Sequence, residues 1–180
     1  MGIVSSTAGR RDGRDVNNSK DRHQQAQPDG DQGTPNAVSH SQTLWILIFR
    51  GYPRDIQSAR VTELCIVFDD NENRNLTIRI QGNHPHYSVD EVWNQPPPRT
   101  RPHFYRRLAV ATVETSSEPD TRLRDAILGT HVNNTELDWN CQSWVGDVLT
   151  TLQDARLITD EEGDNALNGM VNYIARAPWE

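Results

Sequence analysis

The chain has 180 residues, a net charge of −7 and a hydrophobic share of 34%, which suits one domain of ordinary size with a polar extension. The negative charge disfavours a nucleic-acid partner, because binding to phosphates needs a basic surface. No apolar run reaches the roughly 18 residues of a membrane span, and the N-terminus lacks the apolar core of a secretory signal. We therefore expect a cytoplasmic protein.

The polar N-terminal residues form the first segment of the chain. Residues 1–41 are rich in Gly, Asp, Asn, Gln, Ser and Arg and contain no aromatic residue. Such a segment buries too little apolar area to offset its ordering entropy, so we expect a disordered tail ahead of a single α+β domain at 42–180. Met1–Ser6 also fits the pattern for N-myristoylation, with Gly2 as the acceptor. One acyl chain anchors a protein only marginally, and the tail could instead be unmodified.

Four strands are predicted next along the chain. The continuous apolar run 44–49 indicates a strand that is buried on both faces. Residues 61–68 form a second strand, and the alternating segment 75–80 pairs with it as an antiparallel hairpin around a polar loop at 69–74. Pro96, Pro97 and Pro98 begin a stiff extended connection that runs to Pro102 and leads to a fourth strand at 107–113.

Three helices complete the prediction. Leu123, Ile127 and Leu128 form a helical stripe that ends at Gly129. Asp138 or Asn140 can cap a second helix, which carries Cys141, Val145, Val148 and Leu152 on one stripe. Thr159 and Glu162 form a capping box for a last helix, with Leu167, Met170, Val171 and Ile174 as its apolar face. The fold class is therefore α+β, with a small antiparallel sheet of about four strands packed against about three helices.

Cys141 is the candidate nucleophile. It falls in the first turn of the second helix, where exposed N–H groups and the helix dipole favour a thiolate and could hold an oxyanion. Its spacing to Val145 and Val148 places the sulfur on the buried stripe, so the thiol would face the sheet. The alternative is a small buried cysteine without chemistry, because free cysteine is often buried.

The residues around Cys141 carry a family resemblance. The segment Asp138-Trp139-Asn140-Cys141-Gln142-Ser143-Trp144-Val145 resembles the helix start of permuted papain-fold thiol enzymes of the lecithin:retinol acyltransferase-like and PPPDE-like families. The stretch from Val132 to Ala177 is also similar to a group of small fungal proteins with a DWNCQxWV motif. The resemblance implies a permuted papain-like fold, a histidine on an early strand and a cysteine that opens a later helix.

The sequence has no histidine at the position where the resemblance places the partner of the cysteine. The fungal group carries a histidine at the strand corresponding to 61–64, and this chain has none there. His84 or His86 could replace it as the general base, since both follow the end of the next strand. The alternative is a turn around His84-Pro85-His86 whose rings face solvent. His103 and His131 are weaker candidates, and Gln142 could donate a hydrogen bond to an oxyanion.

Two functions stay open at this point. The first is a cysteine-dependent hydrolase or acyltransferase that acts on an acyl or amide group of a small molecule or a protein, with Cys141 as nucleophile. The second is a catalytically inactive papain-like domain that serves as a binding or interaction module. The sequence contains no phosphate-binding glycine loop and no paired metal ligands, so we expect no cofactor and no metal. If Gly2 is acylated, the tail would add peripheral contact with a membrane.

Overall fold

A five-stranded antiparallel sheet forms the centre of the domain. The structure is a computed structural model and describes residues 40–115 and 119–179. Its strands are β1 (His40–Phe49), β2 (Val61–Phe68), β3 (Asn71–Gln81), β4 (Ser88–Trp93) and β5 (Phe104–Thr115), and they lie in the order β4-β3-β2-β1-β5. The predicted tail lies almost wholly outside the described residues, as does Gly2. β1 begins at His40, two residues ahead of the predicted domain start.

The hairpin between β2 and β3 is tighter than the sequence predicts. Asp69 and Asp70 both have positive φ angles, of 51° and 54°, and β3 already begins at Asn71. Two central residues with positive φ define the two-residue turn whose twist matches antiparallel strands, and Asp tolerates this conformation better than most residues. Most of the polar segment predicted as a loop at 69–74 therefore belongs to strand β3, with a register shift between the pairs Phe68–Asn71 and Val67–Asn75.

Strand β4 is absent from the prediction and adds a fifth strand to the sheet. It pairs with β3 over Leu76–Gln81, so it forms one edge of the sheet. Two ion pairs hold its acidic residues: Arg79 Nη2 lies 2.9 Å from Asp90 Oδ2, and Arg124 Nε lies 2.7 Å from Glu91 Oε1. Charged side chains are usual on an edge strand, and they hide the apolar alternation by which a strand is recognised in a sequence.

Three helices cover one face of the sheet, as predicted. They are α1 (Arg122–Gly129), α2 (Cys141–Asp154) and α3 (Asp160–Ile174). The main core lies between these helices and the sheet, and its central side chains are almost fully inaccessible to solvent: Leu44, Ile46, Ile48, Leu64, Ile66, Leu76, Ile78, Trp144, Val145 and Val148. The fold is thus α+β, with a five-stranded antiparallel sheet packed against three helices, which confirms the predicted class.

The apolar face predicted for α3 is only half correct. Met170 and Ile174 are buried in the core, together with Ala166. Leu167 is 37% exposed and Val171 is 53% exposed, because α3 packs against β5 and α2 on one side and leaves its other side open. These two side chains line a surface cleft, which is described below.

The other face of the sheet carries a smaller core beneath the connection between β4 and β5. Leu47, Phe49, Cys65 and Val67 are buried there. Arg101 of the connection lies over the Phe49 ring at 4.5 Å and places its Nη2 atom 2.7 Å from Glu63 Oε2. The strand 44–49 is therefore covered on both faces, as its continuous apolar run predicts.

Within residues 40–115 and 119–179, no helix combines the length and the apolar character that a membrane crossing requires. The same residues contain no group of three or more His, Cys, Asp or Glu side chains arranged to hold a metal ion.

Candidate functional site

Cys141 is the first residue of α2, as its sequence context predicts. Its side chain is half-buried and packs against the main core beside the sheet. The core-facing stripe of α2 continues through Val145, Val148 and Leu152, which are all fully buried. Cys141 therefore contacts the core from the first turn of α2, the end of the helix at which the first N–H groups have no partner within the helix.

Asn140 fixes the start of this helix. Its side-chain Oδ1 accepts hydrogen bonds from the backbone N–H groups of Gln142, at 2.8 Å, and Ser143, at 3.4 Å. The Ser143 hydroxyl accepts the Asn140 N–H in return, which completes a capping box. Of the two caps that the sequence allowed, Asn140 is the one used. The cap uses the amides of residues 142 and 143 and does not use the Cys141 amide.

The two histidines predicted as alternatives differ in their surroundings. His84 and His86 both lie in the loop that joins β3 to β4, after the end of β3 at Gln81. The His86 side chain is exposed, whereas His84 is half-buried and its Nε2 atom is fully buried. Among the described residues, His84 Nε2 has no hydrogen-bond partner, so it makes no hydrogen bond to the Cys141 thiol. His84 is therefore the less exposed of the two imidazoles.

Two contacts hold this loop against the segment that leads into α2. The Asn134 side chain binds the backbone of Tyr87 twice: Tyr87 N donates to Asn134 Oδ1 at 2.7 Å, and Asn134 Nδ2 donates to Tyr87 O at 3.1 Å. The Tyr87 ring also meets the Trp139 ring edge to face, with 5.6 Å between centroids. Trp139 is two residues from Cys141, and its Nε1 donates to Asp147 Oδ2 of α2 at 3.0 Å.

Gln142 has a structural role at the other side of the helix start. Its Nε2 donates to the carbonyl oxygens of Gln57, at 2.8 Å, and Arg60, at 2.9 Å, in the segment just ahead of β2. Gln142 could donate to an oxyanion only after giving up these bonds. They have a clear consequence for the fold, because they fasten the start of α2 to the end of the sheet where β2 begins and β3 ends.

His103, His131 and the second cysteine lie outside this arrangement. His103 is exposed at the start of β5 and contacts the Tyr52 ring, and His131 is exposed in the loop between α1 and α2. Cys65 lies on the opposite face of the sheet in the smaller core, and burial raises the pKa of its thiol to about 11. Such a thiol is almost wholly protonated at neutral pH and is a poor nucleophile.

An open cleft of about 550 Å³ lies between α2 and α3. Most of its wall is apolar, formed by Leu167, Met170, Val171, Ile174 and Trp179, and its end reaches Gln142 and Ser143 of the first turn of α2. Cys141 is not part of the wall. At about 100° of rotation per residue, Gln142 and Gly146 lie on a different side of α2 from Cys141. The cleft therefore borders the helix start without containing the thiol.

Sequence reasoning missed the residues that hold the loop to the helix. Asn134 and Tyr87 belong to no periodic pattern, and they are 47 residues apart in the chain. Asn133 and Asn134 carry only the general signal of a turn. Comparison of the chain with protein-family models, with curated proteins and with solved structures found no match.

Proposed function

We propose that this chain is a cysteine-dependent hydrolase or acyltransferase of permuted papain-like design, with Cys141 as its nucleophile and His84 as the general base. The observation that carries the proposal is the position of Cys141 at the capped start of α2, with the His84 loop fastened to the segment just ahead of that helix. A thiol at a helix start and an imidazole in a loop fastened to the segment ahead of that helix support the proposal, because acyl transfer from a cysteine needs a thiol and a base.

The chemistry follows from these parts. His84 takes the proton of the Cys141 thiol, and the thiolate attacks the carbonyl carbon of an acyl or amide substrate. The oxyanion accepts a hydrogen bond from the Cys141 amide, which the Asn140 cap does not use. The imidazolium then protonates the leaving group, and an acyl thioester forms on Cys141. Water activated by the same imidazole hydrolyses this thioester, or a second nucleophile accepts the acyl group.

A test with a simple activated ester separates catalysis from passive acylation. The chain is incubated with p-nitrophenyl acetate, nitrophenol release is followed, and acetylated peptides are identified by mass spectrometry. We expect repeated turnover through an acetyl group on Cys141, no turnover in Cys141→Ala, and a rate about 10²–10⁴ lower in His84→Ala. Cys65→Ala and His86→Ala are the matched controls and should keep the rate. Equal rates in the chain and in Cys141→Ala would contradict the proposal.

One observation favours a second function, that of an inactive papain-like domain that binds a partner. The His84 Nε2 atom makes no hydrogen bond to the thiol among the described residues. In that case Cys141 would be kept for packing, and Cys141→Ala would lower the free energy of unfolding without any change in acyl turnover. The ester assay and a urea unfolding curve on the same variant distinguish the two functions.

We propose that the protein is located in the cytoplasm and contacts a membrane peripherally if Gly2 is myristoylated. Support comes from the sequence pattern at Met1–Ser6. Coexpression with an N-myristoyltransferase and intact-mass measurement test this part separately: the acyl increment should appear on the chain and be absent from Gly2→Ala. Its absence from both would remove the membrane component and leave the chemistry unaffected.

A further inference from the structure

The geometry points to Asn134 as a positioning residue that holds the His84 loop against the start of the Cys141 helix. This inference rests on the proposed function and extends it, because it assigns the side chain that sets the distance between base and nucleophile. Asn134 touches no reacting atom in this account. It acts through the backbone of Tyr87, three residues after His84.

The bonding of Asn134 is specific to its side chain. A primary amide carries one acceptor oxygen and a donor nitrogen, and here the oxygen binds Tyr87 N while the nitrogen binds Tyr87 O, at 2.7 and 3.1 Å. The side chain thus pairs with one residue of backbone as a neighbouring strand would. Aspartate keeps only the acceptor, and alanine keeps neither group, so a graded series of variants is available.

The two hydrogen bonds between Asn134 and Tyr87 are called the clamp below. Local hydrogen bonds order the turn around His84 on one side of this clamp and the segment that leads to α2 on the other. On one side, His86 N donates to Asn83 O at 2.6 Å, which closes the turn around His84. On the other side, Asn133 Oδ1 accepts from Thr135 N at 2.9 Å and from Glu136 N at 3.2 Å, which fixes the backbone next to Asn134. The connection continues through Trp139 N to Glu136 O at 3.3 Å and then to the cap at Asn140.

The clamp matters because the described residues of this loop form no strand ladder that would hold the loop in place. Residues 82–87 lie between β3 and β4, and His86 is exposed. The half-buried His84 has its Nε2 without a partner in the described part of the chain, so hydrogen bonds of that atom do not hold the ring. A displacement of about 1 Å can cost a reaction about 10²-fold, so the fixed loop backbone would decide whether the imidazole serves Cys141.

A double-mutant cycle on the alkylation of Cys141 tests this role. The full chain, His84→Ala, Asn134→Ala and the double variant react with iodoacetamide at neutral pH, and peptide mass spectrometry reports the rate at Cys141 alone. Because His84 takes the thiol proton in the proposed reaction, we expect the chain to react at least about tenfold faster than His84→Ala. In the Asn134→Ala background the same ratio should fall to about one.

Controls separate positioning from general loss of structure. Thr159→Ala removes a cap from α3 and should lower stability while the tenfold ratio persists. Asn134→Asp, which keeps the acceptor for Tyr87 N, should restore part of the ratio. A full ratio in Asn134→Ala would overturn the positioning role alone. Equal rates in the full chain and in His84→Ala would overturn the proposed function itself, so the two failures are distinguishable.

Discussion

Removal of the Asn140 cap should destabilise the domain by a measurable and specific amount. Asn140 Oδ1 accepts from the amides of Gln142 and Ser143, and replacement by alanine leaves both amides without a partner. Loss of an N-cap costs about 0.5–2 kcal/mol of stability, typically about 1. Because two amides are served here and the box is reciprocal, we expect about 1–2 kcal/mol for Asn140→Ala.

Urea unfolding followed by tryptophan fluorescence measures this loss. With a denaturant dependence of about 2 kcal/mol per molar urea, the midpoint should fall by roughly 0.5–1 M while the slope stays unchanged. Asn140→Asp should stay close to the unmutated chain, because it keeps the acceptor and adds negative charge at the helix N-terminus.

The last helix provides a matched control for this experiment. Thr159 caps α3 through Oγ1, which accepts from Glu162 N at 3.2 Å, and Glu162 Oε2 accepts the Thr159 N–H at 2.8 Å. Thr159→Ala should therefore cost about 1 kcal/mol as well. If Thr159→Ala shifts the midpoint and Asn140→Ala does not, the hydrogen bonds described for Asn140 at the start of α2 are wrong.

Three further predictions concern the core, the pH dependence and the second thiol. Trp144 is fully buried, so Trp144→Ala should cost about 3–5 kcal/mol in urea unfolding, whereas Val171→Ala, at a position 53% exposed, should cost less than about 0.5 kcal/mol. The Asp55 carboxylate accepts from Arg60 Nε and Nη2 at 2.9 and 2.8 Å, and these bonds lower its pKa below the usual 3.8. A carboxyl group whose pKa is lowered in the folded state adds stability above its unfolded-state pKa, and this stability is lost as the pH falls through the folded-state pKa. The urea midpoint should therefore drop more steeply below about pH 4 than it does in Asp55→Asn. Cys65 is 4% exposed and its thiol pKa is raised to about 11, so the native chain should take up one alkyl group at neutral pH and two in urea; two in the native state would contradict its burial.

Most of the fold could be predicted from local patterns. These patterns involve residues that are close together in the chain: the apolar run of β1, the alternation in β3 and the helix caps. The structure confirms strands and helices at those places. Strand β4 was missed because Asp90 and Glu91 stand where apolar alternation would be needed. Their partners, Arg79 and Arg124, come from β3 and α1, and that pairing exists only in the folded chain.

Some features of the candidate site could likewise be predicted from local sequence, and others exist only in the folded chain. The place of Cys141 at a helix start is a local property, which caps and periodicity indicate. The choice between His84 and His86 depends on burial in a loop, and the clamp between Asn134 and Tyr87 joins segments that no pattern connects. Gln142 shows the limit of motif reading, because its first-turn position suggests a free donor and the folded chain commits it to two backbone carbonyls.

The rate of Cys141 alkylation tests the central claim most directly. The full chain, His84→Ala and His86→Ala react with iodoacetamide at neutral pH, and peptide mass spectrometry reports the rate at Cys141 alone. Because His84 takes the thiol proton in the proposed reaction, we expect Cys141 to react at least about tenfold faster in the chain and in His86→Ala than in His84→Ala. Equal rates in all three proteins would contradict the proposed pairing of Cys141 with His84.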